Sequence, residues 1–248
     1  MSKVILVTGG SRGIGAATVR LAAERGYQVA FSYLRDAASA AALVDELRQR
    51  GTSALAVQAD VGLEADVLRL FQEVDKKLSR LSVLVNNAGI VDRQQRVEEL
   101  SAERITRMFA VNVVGSMLCA REAVKRLSTR HGGSGGVIVN ISSAASRIGS
   151  PGEYVDYAAS KGAIDTFTLG LAKEVAREGI RVNAVRPGII DTEIHASGGQ
   201  PDRVARLQSS LPMQRAGRAA EVAGAVLWLA SDEATYTSGA ILDVSGAR

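Results

Sequence analysis

Val4-Ile5-Leu6-Val7-Thr8-Gly9-Gly10-Ser11-Arg12-Gly13-Ile14-Gly15, continuing into Ala16-Ala17-Thr18-Val19-Arg20-Leu21-Ala22-Ala23-Glu24-Arg25, is the stretch that decides the fold class. Val4–Val7 is a short apolar run, the form taken by a strand buried on both faces of a parallel sheet. A glycine-rich turn follows at once, and the residues after it carry helical spacing. Strand, glycine turn and helix together make an anion site. Glycines let the backbone come close to a ligand, and a helix N-terminus offers free N–H groups and the positive end of its dipole. The spacing is G-x-x-x-G-x-G rather than G-x-G-x-x-G. A tight turn that needs glycine only for its backbone angles is the plainer alternative. The correct flanks on both sides favour a phosphate-binding turn.

Outward from this unit, strands and helices alternate to the end of the chain. Strands are expected at 4–7, 28–33, 53–57, 82–86, 136–141, 180–185 and 240–243, and helices at 13–25, 37–50, 63–79, 100–128, 153–178 and 219–230. Gly26, Gly51 and Gly179 stand where helices should stop. Such alternation predicts an α/β fold, one doubly wound Rossmann-type domain of about seven parallel strands covered by helices on both faces. Ligands then bind at the carboxyl ends of the strands. Residues 188–218 form one long irregular excursion, with a short helical piece near 202–210; in a compact domain such a segment is usually a lid or binding loop. Residues 132–136 are read as a flexible helix-to-strand connection.

Composition sets bounds. The chain has 248 residues, 46% hydrophobic and 23% charged, enough for a large core without staples. Cys119 is the one cysteine, so no internal disulfide can form, and its apolar neighbours suggest a buried structural thiol. No apolar run approaches the length of a membrane span, and the N-terminus enters a strand without a signal-peptide core, so a cytoplasmic protein is expected. The net charge of +4 comes from scattered arginines, and aromatics are only 4%, which argues against a nucleic-acid surface. No metal site is expected.

Tyr157 and Lys161, within Tyr157-Ala158-Ala159-Ser160-Lys161, carry the chemistry. Four residues apart on a helix, their side chains share one face. A phenol has a pKa of about 10, and a nearby ammonium favours the phenolate. The pair can therefore exchange a proton with an alcohol or carbonyl oxygen near neutral pH. The bland reading is a half-buried tyrosine beside a solvated lysine.

Taken together, these residues resemble the short-chain dehydrogenase/reductase family nearly end to end. Thr8–Gly15 matches its T-G-x-x-x-G-x-G element, and Asn86-Asn87-Ala88-Gly89 its N-N-A-G element. Asn112, Ser143, Tyr157 and Lys161 fall in the order of its catalytic tetrad, and Pro187–Thr192 matches the segment that closes over the nicotinamide. The resemblance implies that Tyr157 is the general acid in reduction and the general base in oxidation. It also implies that Lys161 lowers the Tyr157 pKa and holds the nicotinamide ribose, that Ser143 hydrogen-bonds the substrate oxygen, and that Asn112 anchors a water leading protons to the lysine. Ser142 and Ser143 are adjacent on a strand end, so only one faces the site; the family's usual choice is the second. Tyr154 has alanine four residues on and is expected to line the pocket. The spacing from Ser143 to Tyr157 suggests a small bulge at 151–153. Cofactor contacts are implied for Gly9, Ser11, Arg12, Gly13, Ile14, Gly15, Asp60, Val61, Asn87, Ala88, Gly89, Val111, Pro187, Gly188, Ile190 and Thr192, besides Tyr157 and Lys161.

The end of the second strand bears on which nicotinamide cofactor is used. NAD-dependent members carry an aspartate there, and this chain has Tyr33, followed by Arg35. Arg12 and Arg35 could grip a 2′-phosphate, which favours NADP over NAD; Asp36 is read as a helix cap. The expected reaction is hydride transfer between a nicotinamide and a carbonyl or alcohol. Substrates stay open between 3-oxoacyl carrier-protein thioesters and sugars of the glucose-dehydrogenase type. Reductases of 3-oxoacyl thioesters commonly carry arginine just before the Gly-Ile that opens the sixth strand, where this chain has Glu178. A homo-oligomer, favoured as a tetramer, is implied by the family and by small residues along 153–178. Two other classes stay in view. Gly9–Gly13 satisfies the G-x-S-x-G of serine hydrolases, with His131 and His195 as possible bases, and an inactive nucleotide-binding protein would keep the same fold.

Overall fold

A computed structural model of the protein describes residues 3–248. In chain order the first half runs β1 (Val4–Val7), α1 (Gly13–Glu24), β2 (Gln28–Tyr33), α2 (Ala37–Gln49), β3 (Ala54–Gln58), α3 (Glu64–Lys77), β4 (Leu81–Asn86), α4 (Ala102–Phe109) and α5 (Ser116–Leu127). The second half is β5 (Gly136–Ile141), α6 (Ala145–Ile148), α7 (Val155–Val175), β6 (Ile180–Pro187), β7 (Ile190–Asp191), α8 (Ile194–Ser197), α9 (Arg203–Leu207), β8 (Gly217–Arg218), α10 (Ala219–Ala230) and β9 (Ile241–Val244).

Seven strands form one parallel sheet in the order β3-β2-β1-β4-β5-β6-β9, a Rossmann-type fold. Side chains alternate across the sheet, so each strand feeds two cores. Ile5 and Val7 pack with Val19 of α1, Leu43 and Leu47 of α2, and Val226 and Leu227 of α10. Val4 and Leu6 pack on the other face with Leu70 and Phe71 of α3, Cys119 and Ala123 of α5, and Val175 of α7. The strand order reverses between β1 and β4, and the crevice above their carboxyl ends is where such sheets hold ligands. No helix among the described residues is long and apolar enough to cross a membrane.

Two expected helices change. The stretch 100–128 is not one helix: a π-helical turn, Ala110–Gly115, separates α4 from α5. Packing decides this. A Cβ on Gly115 would lie 2.7 Å from the Val61 carbonyl oxygen, so the backbone presses against the loop after β3, and the extra residue in the turn rotates Asn112 inward. The helix expected from 153 begins instead at Val155. A tight turn precedes it, with Ser150 at φ 46° and Gly152 at φ 71°, and the Glu153 and Tyr154 N–H groups both donate to the Ser150 carbonyl. This turn stands where a small bulge was expected. Residues 188–218 are anchored at both ends, because β7 and β8 pair Ile190 with Gly217 and Asp191 with Arg218.

Candidate active site

The glycine turn is built to let a ligand reach the backbone. Gly9 has φ +64°, and a Cβ on Gly15 would lie 2.3 Å from the Gly9 carbonyl oxygen. α1 starts at Gly13 with no side-chain cap and no acidic residue in its first turn, so its N–H groups stay free for an anion. The β4 loop is fastened to this turn. Thr8 Oγ1 accepts from the Asn87 and Ala88 N–H groups, both at 3.0 Å, and Asn87 Nδ2 donates to the carbonyls of Thr8 and Gly9 at 2.8 and 2.9 Å. These groups fit the pyrophosphate of a dinucleotide.

At the β2 end, Tyr33 is half-buried and Arg35 exposed. Arg12 donates to Ser197 Oγ at 3.2 Å, which joins the turn to α8. Asp36 accepts from the Ser39 N–H at 2.9 Å and caps α2; this bond and the Ser39 hydroxyl hold its carboxyl below the usual range, with a smaller pull from Arg12. Asp60 is fixed by the Gly62 N–H and by Arg107 Nη2, each at 2.9 Å. Arg107 is a residue that sequence reasoning missed. Val61 and Val111 are buried in the same wall, and a Cβ on Gly13 would lie 3.4 Å from Thr192 Cβ.

The tetrad residues converge where β5 meets α7. Lys161 is 4% exposed, and its Nζ donates to the Ile141 carbonyl at 2.7 Å. It stands 5.7 Å from the centre of the Tyr157 ring, and a Cβ on Gly89 would lie 3.5 Å from its Nζ. Asn112 donates to the Ile90 carbonyl at 3.0 Å and to Ser160 Oγ at 3.1 Å, while its Oδ1 accepts from the Ile90 N–H at 2.8 Å. Ser142 is buried and its hydroxyl donates to the Lys161 carbonyl at 3.3 Å, leaving Ser143 as the serine beside the Tyr157 hydroxyl.

Electrostatically the pair departs from expectation. Burial pushes the Tyr157 phenol above its ordinary value, and only the hydrogen bond with Ser143 pulls it back. Burial also lowers Lys161 from 10.5 to about 8, against support from Asp165. In the protein alone, desolvation outweighs the ammonium that the four-residue spacing places nearby.

The cleft of about 850 Å³ runs from Arg35 past Tyr157 to Tyr154, His195, Arg203 and Arg248. The last two were not legible as site residues in the sequence. His195 Nε2 donates to the Ile190 carbonyl at 2.9 Å, a bond that fixes the tautomer, and burial lowers its pKa. His131 lies on an exposed turn. Among the described residues no hydrogen bond joins either histidine to Ser11, so the hydrolase arrangement is not assembled. Cys119 is buried, and desolvation pushes its thiol up to about 12. No cluster of His, Cys, Asp and Glu among the described residues could hold a metal.

Comparisons with known proteins agree with this geometry. The adh_short_C2 family model, described as Enoyl-(Acyl carrier protein) reductase, matches residues 9–246. The chain is 56% identical to the oxidoreductase YgfF of Escherichia coli (strain K12), covering 99% of each chain. It is 39% identical to a 3-oxoacyl-[acyl-carrier-protein] reductase of Bos taurus, over 99% of this chain and 98% of the relative. Among solved structures, a short chain dehydrogenase from Burkholderia cenocepacia J2315 in complex with NADP superposes with a TM-score of 0.90 at 32% identity, covering 98% of this chain and 96% of the other. The chain belongs to the short-chain dehydrogenase/reductase family of NAD(P)-dependent oxidoreductases.

Proposed function

We propose that the protein is an NADP(H)-dependent oxidoreductase that interconverts a carbonyl and an alcohol, with Tyr157 as the proton donor in reduction and acceptor in oxidation. The convergence of Ser143, Tyr157 and Lys161 at one end of a cleft whose floor is the glycine turn carries this reading. Bound NADPH supplies the hydride. Ser143 holds the carbonyl oxygen and shares the charge that develops on it, and Tyr157 delivers its proton to that oxygen. Lys161, whose pKa burial lowers to about 8, gains a ribose hydroxyl as partner, and its charge then favours the Tyr157 phenolate formed in the step. Asn112, tied to the loop at Ile90 and to Ser160, keeps the π turn against α7 and supports the route by which the proton is replaced.

Preference for NADP over NAD rests on Arg12 and Arg35 lining the cleft beside Tyr33, with Asp36 occupied in capping α2. We read the chain as one catalytic unit with 188–218 as its substrate lid, a cytoplasmic protein, and a homotetramer packed through its long helices. A 3-oxoacyl thioester is the second substrate reading, supported by the Bos taurus relative. Against it, Glu178 sits where a carrier-docking arginine would be and is tied to Ser128 and Arg130.

The test is steady-state turnover with NADPH and NADH over aldehydes, ketones, acetoacetyl thioesters and, in oxidation, sugars. The expected ratio of kcat/KM is on the order of a hundredfold for NADPH, the worth of two partly screened charge-assisted contacts. A ratio near one, or one favouring NADH, would overturn the arginine reading.

A further inference from the structure

Beyond Tyr157 the cleft ends in a wall that the reaction above leaves unused. Two guanidinium groups line it, those of Arg203 and Arg248. Arg203 is 6% exposed, a burial uncommon for arginine without partners. It donates to Glu153 Oε2 at 2.6 Å and to Gln200 Oε1 at 3.1 Å, and its guanidinium lies 5.1 Å from the centre of the Tyr154 ring. Tyr154 is the N-cap of α7, three positions before Tyr157. Arg248 is brought in from the far end of the chain. Its N–H donates to the Ser245 carbonyl at 3.4 Å, the Ser245 hydroxyl donates to the Arg248 carbonyl at 3.2 Å, and Ser245 packs on Gly188, where a Cβ would meet its carbonyl oxygen at 2.6 Å.

Arg248 Nη1 is buried and has no hydrogen-bond partner among the described residues. Its charge is opposed by burial and by Arg203 and supported by Glu153. Glu153, already held by Arg203, is thus the carboxylate that both cations share. A buried donor without a partner is costly, and more so when it is charged. With one carboxylate between two guanidinium groups, the wall keeps a surplus of positive charge beside the cleft that both arginines line, and an anion in that cleft would balance it.

We propose that this wall recognises an anionic group on the substrate, a carboxylate or a phosphate a few bonds from the reacting carbonyl. The proposal rests on the oxidoreductase reading of the site and names its substrate class: oxo acids and hydroxy acids, or phosphorylated carbonyls and alcohols. Guanidinium geometry suits either anion, since both accept paired N–H donors. The lid positions the group, because Arg203 opens α9 and Gln200 precedes it.

The experiment compares matched carbonyls with NADPH: 4-oxobutanoate against its methyl ester and butanal, and glyceraldehyde 3-phosphate against glyceraldehyde. The anionic member of a pair should be favoured by about tenfold to a hundredfold in kcat/KM, mainly through KM. The pair with the larger ratio distinguishes carboxylate from phosphate. Arg248→Gln should reduce that ratio at least tenfold, and Arg248→Lys should keep part of it. Equal turnover of charged and neutral members, or a ratio unchanged in Arg248→Gln, would overturn the proposal while leaving the oxidoreductase reading intact. If no carbonyl turns over, that reading fails, and the wall is then tested by binding alone. Succinate and glycerol 3-phosphate are titrated into the NADPH-bound protein, with protection against thermal unfolding as the readout. Protection that is lost in Arg248→Gln supports the anion site, and its absence overturns it.

Discussion

Tyr157 sits where burial raises its pKa and Ser143 alone relieves it, a setting that favours the protonated phenol. Tyr157→Phe removes that proton and should cut kcat by roughly a hundredfold or more. NADPH affinity, followed by its fluorescence, should stay within about threefold, because the substitution leaves untouched the glycine turn and Asn87 loop that we propose hold the cofactor. Near-normal turnover in this variant would remove Tyr157 from its role. Lys161 gives a second, independent prediction. Its folded value of about 8 lies below its ordinary 10.5. Between those two values the unfolded chain holds the proton more tightly than the folded one, so stability rises with pH across the window, and below pH 8 the cost of burying the charge is fully present. Urea unfolding of the cofactor-free protein should show wild type gaining stability relative to Lys161→Met from pH 8 to 10.5. A flat difference would contradict the burial account.

Between residue and fold, α4, the loop after β4 and the start of α7 are held together by one buried ion pair. Arg104 and Asp156 are 7% and 2% exposed at their side chains. Their bonds, Nε to Oδ2 at 2.8 Å and Nη2 to Oδ1 at 3.2 Å, form a bidentate fork, and Arg104 Nη1 also donates to the Arg93 carbonyl at 2.7 Å and to Gln95 Oε1 at 2.6 Å. Arg104→Ala strands a buried carboxylate next to Tyr157. Breaking such a pair typically costs about 3–5 kcal/mol. The urea midpoint should fall accordingly, and kcat with it, since α7 carries the tyrosine. A loss below about 1 kcal/mol would mean that Asp156 finds water or another partner. The π turn belongs to the same scale: its additional residue is what lets Asn112 reach Ile90 and Ser160 at once.

At the scale of the whole molecule, the helices on one side of the sheet leave apolar side chains in water. Ile105, Val114 and Met117 on the α4–α5 segment and Leu169 on α7 are all more than a third exposed. Around them α7 carries Gly162 and Gly170, where an added Cβ would meet nothing within 4 Å. Helices can approach closely across such a surface, and covering it supplies the apolar burial that association needs. Light scattering at micromolar concentration should therefore report a tetramer, and Met117→Glu combined with Leu169→Glu should reduce it to smaller species. A monomeric wild type would rule the assembly out.

The fold class, the order of the tetrad and the glycine turn were legible because each is a local pattern. Val4–Val7 is continuously apolar, the helices keep their period, and Gly9, Gly13 and Gly15 stand at fixed spacing; backbone sterics and burial of both sheet faces leave one architecture for such a string. What the sequence could not determine is non-local. Thirty cationic and twenty-six acidic residues offer too many pairings, so Arg107 on Asp60, Arg104 on Asp156, and Arg203 beside Arg248 become visible only when the chain closes on itself. The π turn was hidden because one additional residue hardly disturbs the apolar period of 100–128; contact between Gly115 and Val61 imposes it. The four-residue spacing placed Lys161 near Tyr157 as expected. Yet the packing of α7 against β5 decides that the ammonium bonds the Ile141 carbonyl and that both groups lose water, and desolvation is a property of the surroundings that no spacing within one helix can specify.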